Sequence, residues 1–98
     1  MYLITREMEN ALPSFKSHVA AAAYFKEQYG SDFVFEYAEH IGDMYCYFYA
    51  LIVDHGNYQK GRKLLTKGQS IIGELSLQFI NSYQPVQIME DGHIHIVY

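Results

Sequence analysis

Tryptophan is absent from this 98-residue chain, cysteine occurs once and proline twice. A lone Cys46 excludes an intramolecular disulfide framework and fits a reducing, cytoplasmic setting. Charge is also scarce. Asp, Glu, Lys and Arg make up 18% of the residues and leave a net charge of −4. Such a chain has no global pull toward nucleic acid or an anionic membrane. No apolar run approaches the roughly 18 residues of a spanning helix. Arg6, Glu7 and Glu9 follow the apolar Met1–Ile4 at once, which leaves no room for a signal-peptide core. A phosphate-binding glycine loop, a nucleophile elbow and zinc-finger spacing are lacking too, so no cofactor is expected and catalysis has no support in the sequence.

What the chain does have is aromatic surface. Ten tyrosines and six phenylalanines sit in a sequence that is half hydrophobic, enough for one globular domain over residues 1–98 with its own core. A tyrosine buries its ring while keeping a hydroxyl for water or a partner, so an excess of tyrosine suits half-buried faces and interfaces.

The run from Met44 to Val53 concentrates this property. Strand side chains alternate, so Met44, Cys46, Phe48, Ala50 and Ile52 point one way, and Tyr45, Tyr47, Tyr49, Leu51 and Val53 the other. Both faces are large and mostly apolar, which predicts a central strand with a cover on each side. Mid-strand Cys46 then reads as a buried small hydrophobe rather than a nucleophile.

The neighbouring elements follow from periodicity and breakers. Tyr2–Thr5 reads as a short first strand, followed by a polar connection to Pro13. Ser14 is placed to cap a helix carrying Phe15, Val19, Ala22, Phe25 and Tyr29 at helical spacing, and Gly30 to end it. Phe33–His40 and Met44–Asp54 make an antiparallel hairpin around Gly42. The preferred register sets His40 against Asp43 and Glu36 against Tyr47. A three-residue turn with Gly42 at a bulge is the alternative, placing Phe33, Phe35 and Tyr37 opposite Tyr49, Tyr47 and Tyr45. Asn57–Lys67 reads as a basic helix. Ser70 caps a further stretch whose apolar face is Ile71, Ile72, Leu75, Phe79 and Ile80, and Gly61, Gly68 and Gly73 favour a broken helix. Asp91-Gly92 between alternating runs signals a two-residue hairpin that pairs Glu90 with His93.

The resulting order matches a two-layer α+β sandwich of ferredoxin-like β-α-β-β-α-β plan, with one strand added by the C-terminal hairpin. Tyr45, Tyr47 and Tyr49 on the third strand, with Tyr2 on the first, also resemble the layout of RNA-recognition-motif domains, in which aromatics on these two strands stack on unpaired bases. Asp43–Ala50 supplies that family's aromatics at the third and fifth places (Tyr45, Tyr47) and a small residue, Cys46, between them. It departs at the basic first place (Asp43), the glycine second place (Met44) and the final aromatic (Ala50).

Three functional expectations follow. The first is a non-catalytic protein-binding domain that forms a homodimer by closing the face of Tyr45, Tyr47, Tyr49 and Tyr2 on a second copy. The second is single-stranded nucleic-acid binding by the same tyrosines, aided by Lys60, Arg62, Lys63 and Lys67, four of the seven basic residues. That patch would equally suit an acidic partner. The third is a metal site built on His93 and His95, which alternation puts on one side of a strand about 7 Å apart. The histidine pair reads more simply as hairpin structure, and no metal is expected.

Overall fold

The computed structural model describes residues 3–68 and 73–98. Two helices open the chain, α1 (Arg6–Asn10) and α2 (His18–Tyr29), followed by a hairpin of β1 (Phe33–Ile41) and β2 (Met44–Ile52). Two more helices, α3 (His55–Thr66) and α4 (Glu74–Ile80), lead to a second hairpin of β3 (Tyr83–Met89) and β4 (Ile94–Ile96). The four strands form one antiparallel sheet in the order β1-β2-β3-β4. The fold is α+β, and β2 is central, as its two apolar faces require.

The ferredoxin-like order is not what the described residues build. That plan needs an N-terminal strand beside β2, and β3 occupies that flank instead. Leu3–Thr5 lies outside any strand, while Tyr2 lies outside the described residues. The buried Gln84 explains how Ile4 stays in the core without a ladder. Its side-chain oxygen accepts from Ile4 N at 2.8 Å and its amide donates to Ile4 O at 2.9 Å, so one side chain satisfies both backbone groups. Thr5 then caps α1 through its hydroxyl, which turns the expected polar connection into a short helix.

The cap of α2 also differs from expectation. Ser17, not Ser14, accepts from Ala20 N, so the helix starts later; of the expected apolar face Phe15, Ala22, Phe25 and Tyr29 pack on the core, joined by Ala21, while Val19 is exposed. Gly30 ends it with the expected positive φ (58°), but at ψ −130° it does not adopt the left-handed helical conformation. Asp54 caps α3, which runs unbroken through Gly61. That glycine is a packing device, since a Cβ there would overlap the Phe79 ring of α4. The expected cap Ser70 and the apolar pair Ile71 and Ile72 lie outside the described residues.

Neither expected register of the first hairpin forms. The turn is the two-residue Gly42-Asp43, with Gly42 at φ 60° in the first central position, which sets Ile41 opposite Met44 and His40 opposite Tyr45. A bulge then inserts Glu36 between Phe35 and Tyr37. Near the turn Tyr37 shares a face with Phe48. Beyond the bulge Phe33 and Phe35 join Leu51 and Tyr49 on the other face. The reason lies in α3, where the Tyr58 hydroxyl donates to Glu36 at 3.0 Å and Arg62 lies 3.3 Å from the same carboxylate oxygen. The extra residue lets a carboxylate reach these partners without displacing the aromatic ladder.

The C-terminal turn also departs from expectation, being one residue longer. Met89 N donates to His93 O and Gly92 N to Met89 O, so Glu90-Asp91-Gly92 forms the loop, with Gly92 at φ 93°. Glu90 consequently bonds Tyr45 N through its carboxylate (2.7 Å) and does not pair with His93. Pro85 sits inside β3 where the strand loses its neighbour. Its carbonyl accepts from Val97 N, but it has no N–H to return, and β4 stops at Ile96.

Candidate functional site

The two faces of β2 are covered unequally. On the tyrosine face, Ala21 and Phe25 of α2 pack with Phe33, Leu51, Val86, Ile88 and Ile96 into the main core, and Tyr49 packs against it. The His18 ring lies flat on Tyr47 (3.6 Å, 3°), and its Nε2 shares a 2.6 Å hydrogen bond with the Tyr49 hydroxyl. Burial lowers the His18 pKa and raises that of Tyr49. Helix α2 therefore covers the middle of the tyrosine face from within the chain, over Tyr47 and Tyr49. Of the four tyrosines expected to form one open surface, Tyr47 and Tyr49 lie against α2, Tyr45 is exposed at the hairpin end, and Tyr2 falls outside the described residues. His18 escaped the sequence reading because its partners are 29 or more positions away, and no local pattern marks it.

The opposite face is open at one end. Helices α3 and α4 cover Ala50 and Ile52 through Tyr58 and Phe79, with Val34 and Tyr83 completing that cluster. Toward the hairpin tip the same face carries Tyr37 stacked on Phe48 (4.4 Å, 10°), then Ile41 opposite Met44, and Met89 opposite Cys46. Tyr37 is 51% exposed and Ile41 48%, while Phe48, Met44 and Met89 are half-buried. This distal patch was not singled out in the sequence, because alternation alone does not say which face a helix takes. Cys46 lies beneath it, fully buried, and burial pushes its thiol pKa up, the reverse of what a nucleophile needs.

The carboxylate that holds the bulge joins a part-buried polar junction of Glu36, Tyr58 and the exposed Arg62. Desolvation and the negative Glu36 push the Tyr58 hydroxyl up to about 12, so it stays a donor at any ordinary pH. Arg62 is engaged with this carboxylate, while Lys60, Lys63 and Lys67 remain exposed along α3. These cations lie on the side of the sheet opposite Tyr47 and Tyr49. The two features expected to cooperate in gripping a nucleic acid do not share a surface.

His93 precedes β4, with its backbone N–H donating to Asp91, and His95 is exposed in β4 opposite Gln87. Among the described residues, no group of three or more His, Cys, Asp or Glu side chains converges in a way that could hold a metal ion. Nor is any described helix long and apolar enough to cross a membrane. Comparison of the chain with protein-family models, curated proteins and solved structures finds no match, so this geometry stands by itself.

Proposed function

We propose that this chain is a small non-catalytic protein-binding domain, and that its first partner is a second copy of itself, seated on the distal patch of Tyr37, Ile41, Met44, Phe48 and Met89. The observation that carries this reading is the exposed aliphatic and aromatic surface left on the β1–β2 hairpin beyond the reach of α3 and α4. Apart from Glu39, which stands between Tyr37 and Ile41 opposite Cys46, this uncovered face is aliphatic and aromatic, a composition unusual for a monomer and similar to that of homodimer interfaces. Twofold symmetry lets the patch cover itself with no further sequence.

Face packing suits this hairpin better than edge pairing. Strand β1 is an edge, but the bulge at Glu36 interrupts its ladder, a known protection against strand addition. The two methionines add adaptable packing surface. The test is the solution mass of wild type beside Ile41→Asp and Tyr37→Ser, two substitutions at half-exposed positions that leave the monomer core intact. A dimer that these changes convert to a folded monomer supports the reading. A wild-type monomer at every accessible concentration removes it.

A further inference from the structure

The junction of α2 with the sheet edge carries a separate feature. His18, Ala22 and Lys26 follow one another at intervals of four and lie along one ridge of α2. On this ridge Ala22 packs against the core with only a methyl group, and the neighbouring Ala23 is exposed. Between them and the sheet lies a shallow, open slot of about 340 Å³, bordered by Lys26, Phe33, Phe35 and Tyr49. The aromatic wall is ordered, with Phe33 and Tyr49 stacked at 4.5 Å and 11° and Phe35 set edge-on to Tyr49 at 5.5 Å and 69°.

The polar groups sit at the rim. Lys26 Nζ donates to Phe33 O at 3.1 Å, which fixes the ammonium over the slot while using one of its three donors. One turn before Ala22, the pair of His18 and the Tyr49 hydroxyl borders the same ridge. Apolar walls with a few converging polar groups are the usual make-up of a small-molecule pocket, and the volume lies at the lower end of the roughly 300–1,000 Å³ such sites span. Lys26 is the charged side chain lining the slot among the described residues, so the field there favours an anion. Phe33 is stacked between Phe25 and Tyr49, so the apolar contacts left to a ligand are the exposed Phe35, the free rim of Tyr49 and the two alanine methyls, which suit a small apolar body.

We propose that this slot binds a small aromatic carboxylate. Its ring lies between Ala22 and Ala23 on one side and Phe35 and Tyr49 on the other, and its carboxylate accepts from Lys26. A neutral aromatic of the same shape loses the charged hydrogen bond, and an aromatic cation meets the Lys26 charge.

The experiment is an amide-resolved NMR titration with benzoate, repeated with benzyl alcohol. Saturable shifts at Ala22, Ala23, Phe35 and Tyr49 are expected with benzoate. Lys26→Gln should weaken benzoate by about tenfold, the usual loss when one charged hydrogen bond is removed. Ala23→Leu, at an exposed helical position that leucine suits, should abolish these shifts while leaving the rest of the spectrum unchanged. Absence of saturable shifts at these four residues would overturn the proposal. So would equal affinities for benzoate and benzyl alcohol, or a Lys26→Gln protein that binds benzoate as wild type does.

Discussion

Two glycines at hairpin turns separate backbone strain from packing. Gly42 and Gly92 both have positive φ, 60° and 93°, so alanine at either forces an L-residue into a region it avoids, at about 1–2 kcal/mol. Their surroundings differ. A Cβ at Gly42 would meet nothing within 4 Å, whereas at Gly92 it would lie 2.5 Å from Phe15 O and 2.9 Å from Ser17 N. Those are backbone atoms leading into α2, and His18 N also donates to Glu90 O in the same turn. Relief therefore means moving the start of α2 off the sheet, and with it the His18 stack on Tyr47. Adding an overpacking cost of roughly 1–3 kcal/mol brings Gly92→Ala to roughly 2–5 kcal/mol. Gly42→Ala should stay near 1–2 kcal/mol. Urea denaturation of the two variants beside wild type measures the difference, with unchanged m-values confirming that stability alone has shifted. Equal losses would refute the argument, because the docking of residues 90–92 on 15–17 would then carry no weight.

Gln84→Leu should cost roughly 2–4 kcal/mol, since it strands the buried N–H and C=O of Ile4 together, and thermal unfolding would register it. His18 should make folding pH-dependent. Its pKa in the fold lies below the ordinary 6.5, so the unfolded chain takes up the proton first as pH falls. The stability held by neutral His18 is complete above about pH 6.5 and declines as pH drops through the folded value. Denaturation at neutral and mildly acidic pH should show this decline in wild type and less of it in His18→Gln; identical declines would rule it out. His93→Gln and His95→Gln should each change stability by less than about 0.5 kcal/mol, as exposed substitutions usually do. A stoichiometric metal lost from either variant, seen by elemental analysis of untagged protein, would contradict the structural reading of this tail.

Much of the local architecture was legible because it rests on local chemistry. The two faces of Met44–Ile52, the stop at Gly30, the positive φ of Gly92 and the helical character of the basic segment all follow from spacing and side-chain type. What failed depended on distant partners. Pairing of Ile4 with a side-chain amide 80 positions away cannot be read from Tyr2–Thr5, which carries an ordinary strand composition. The bulge at Glu36 answers to Tyr58 and Arg62, and either uniform register looked reasonable without them. Which end of β2 stays uncovered was hidden for the same reason. The two apolar faces rightly implied a central place for β2, but not that α2 would lie on Tyr47 and Tyr49 while α3 and α4 stop short of the Met44–Phe48 end.

The central claim is that this bare end closes on a second copy, and sedimentation equilibrium over a concentration series tests it most directly. The account predicts a species of twice the 11.4 kDa chain mass, reduced to a folded single chain by Ile41→Asp. A wild-type mass of 11.4 kDa at all concentrations, or a dimer that Ile41→Asp and Tyr37→Ser leave intact, would contradict it.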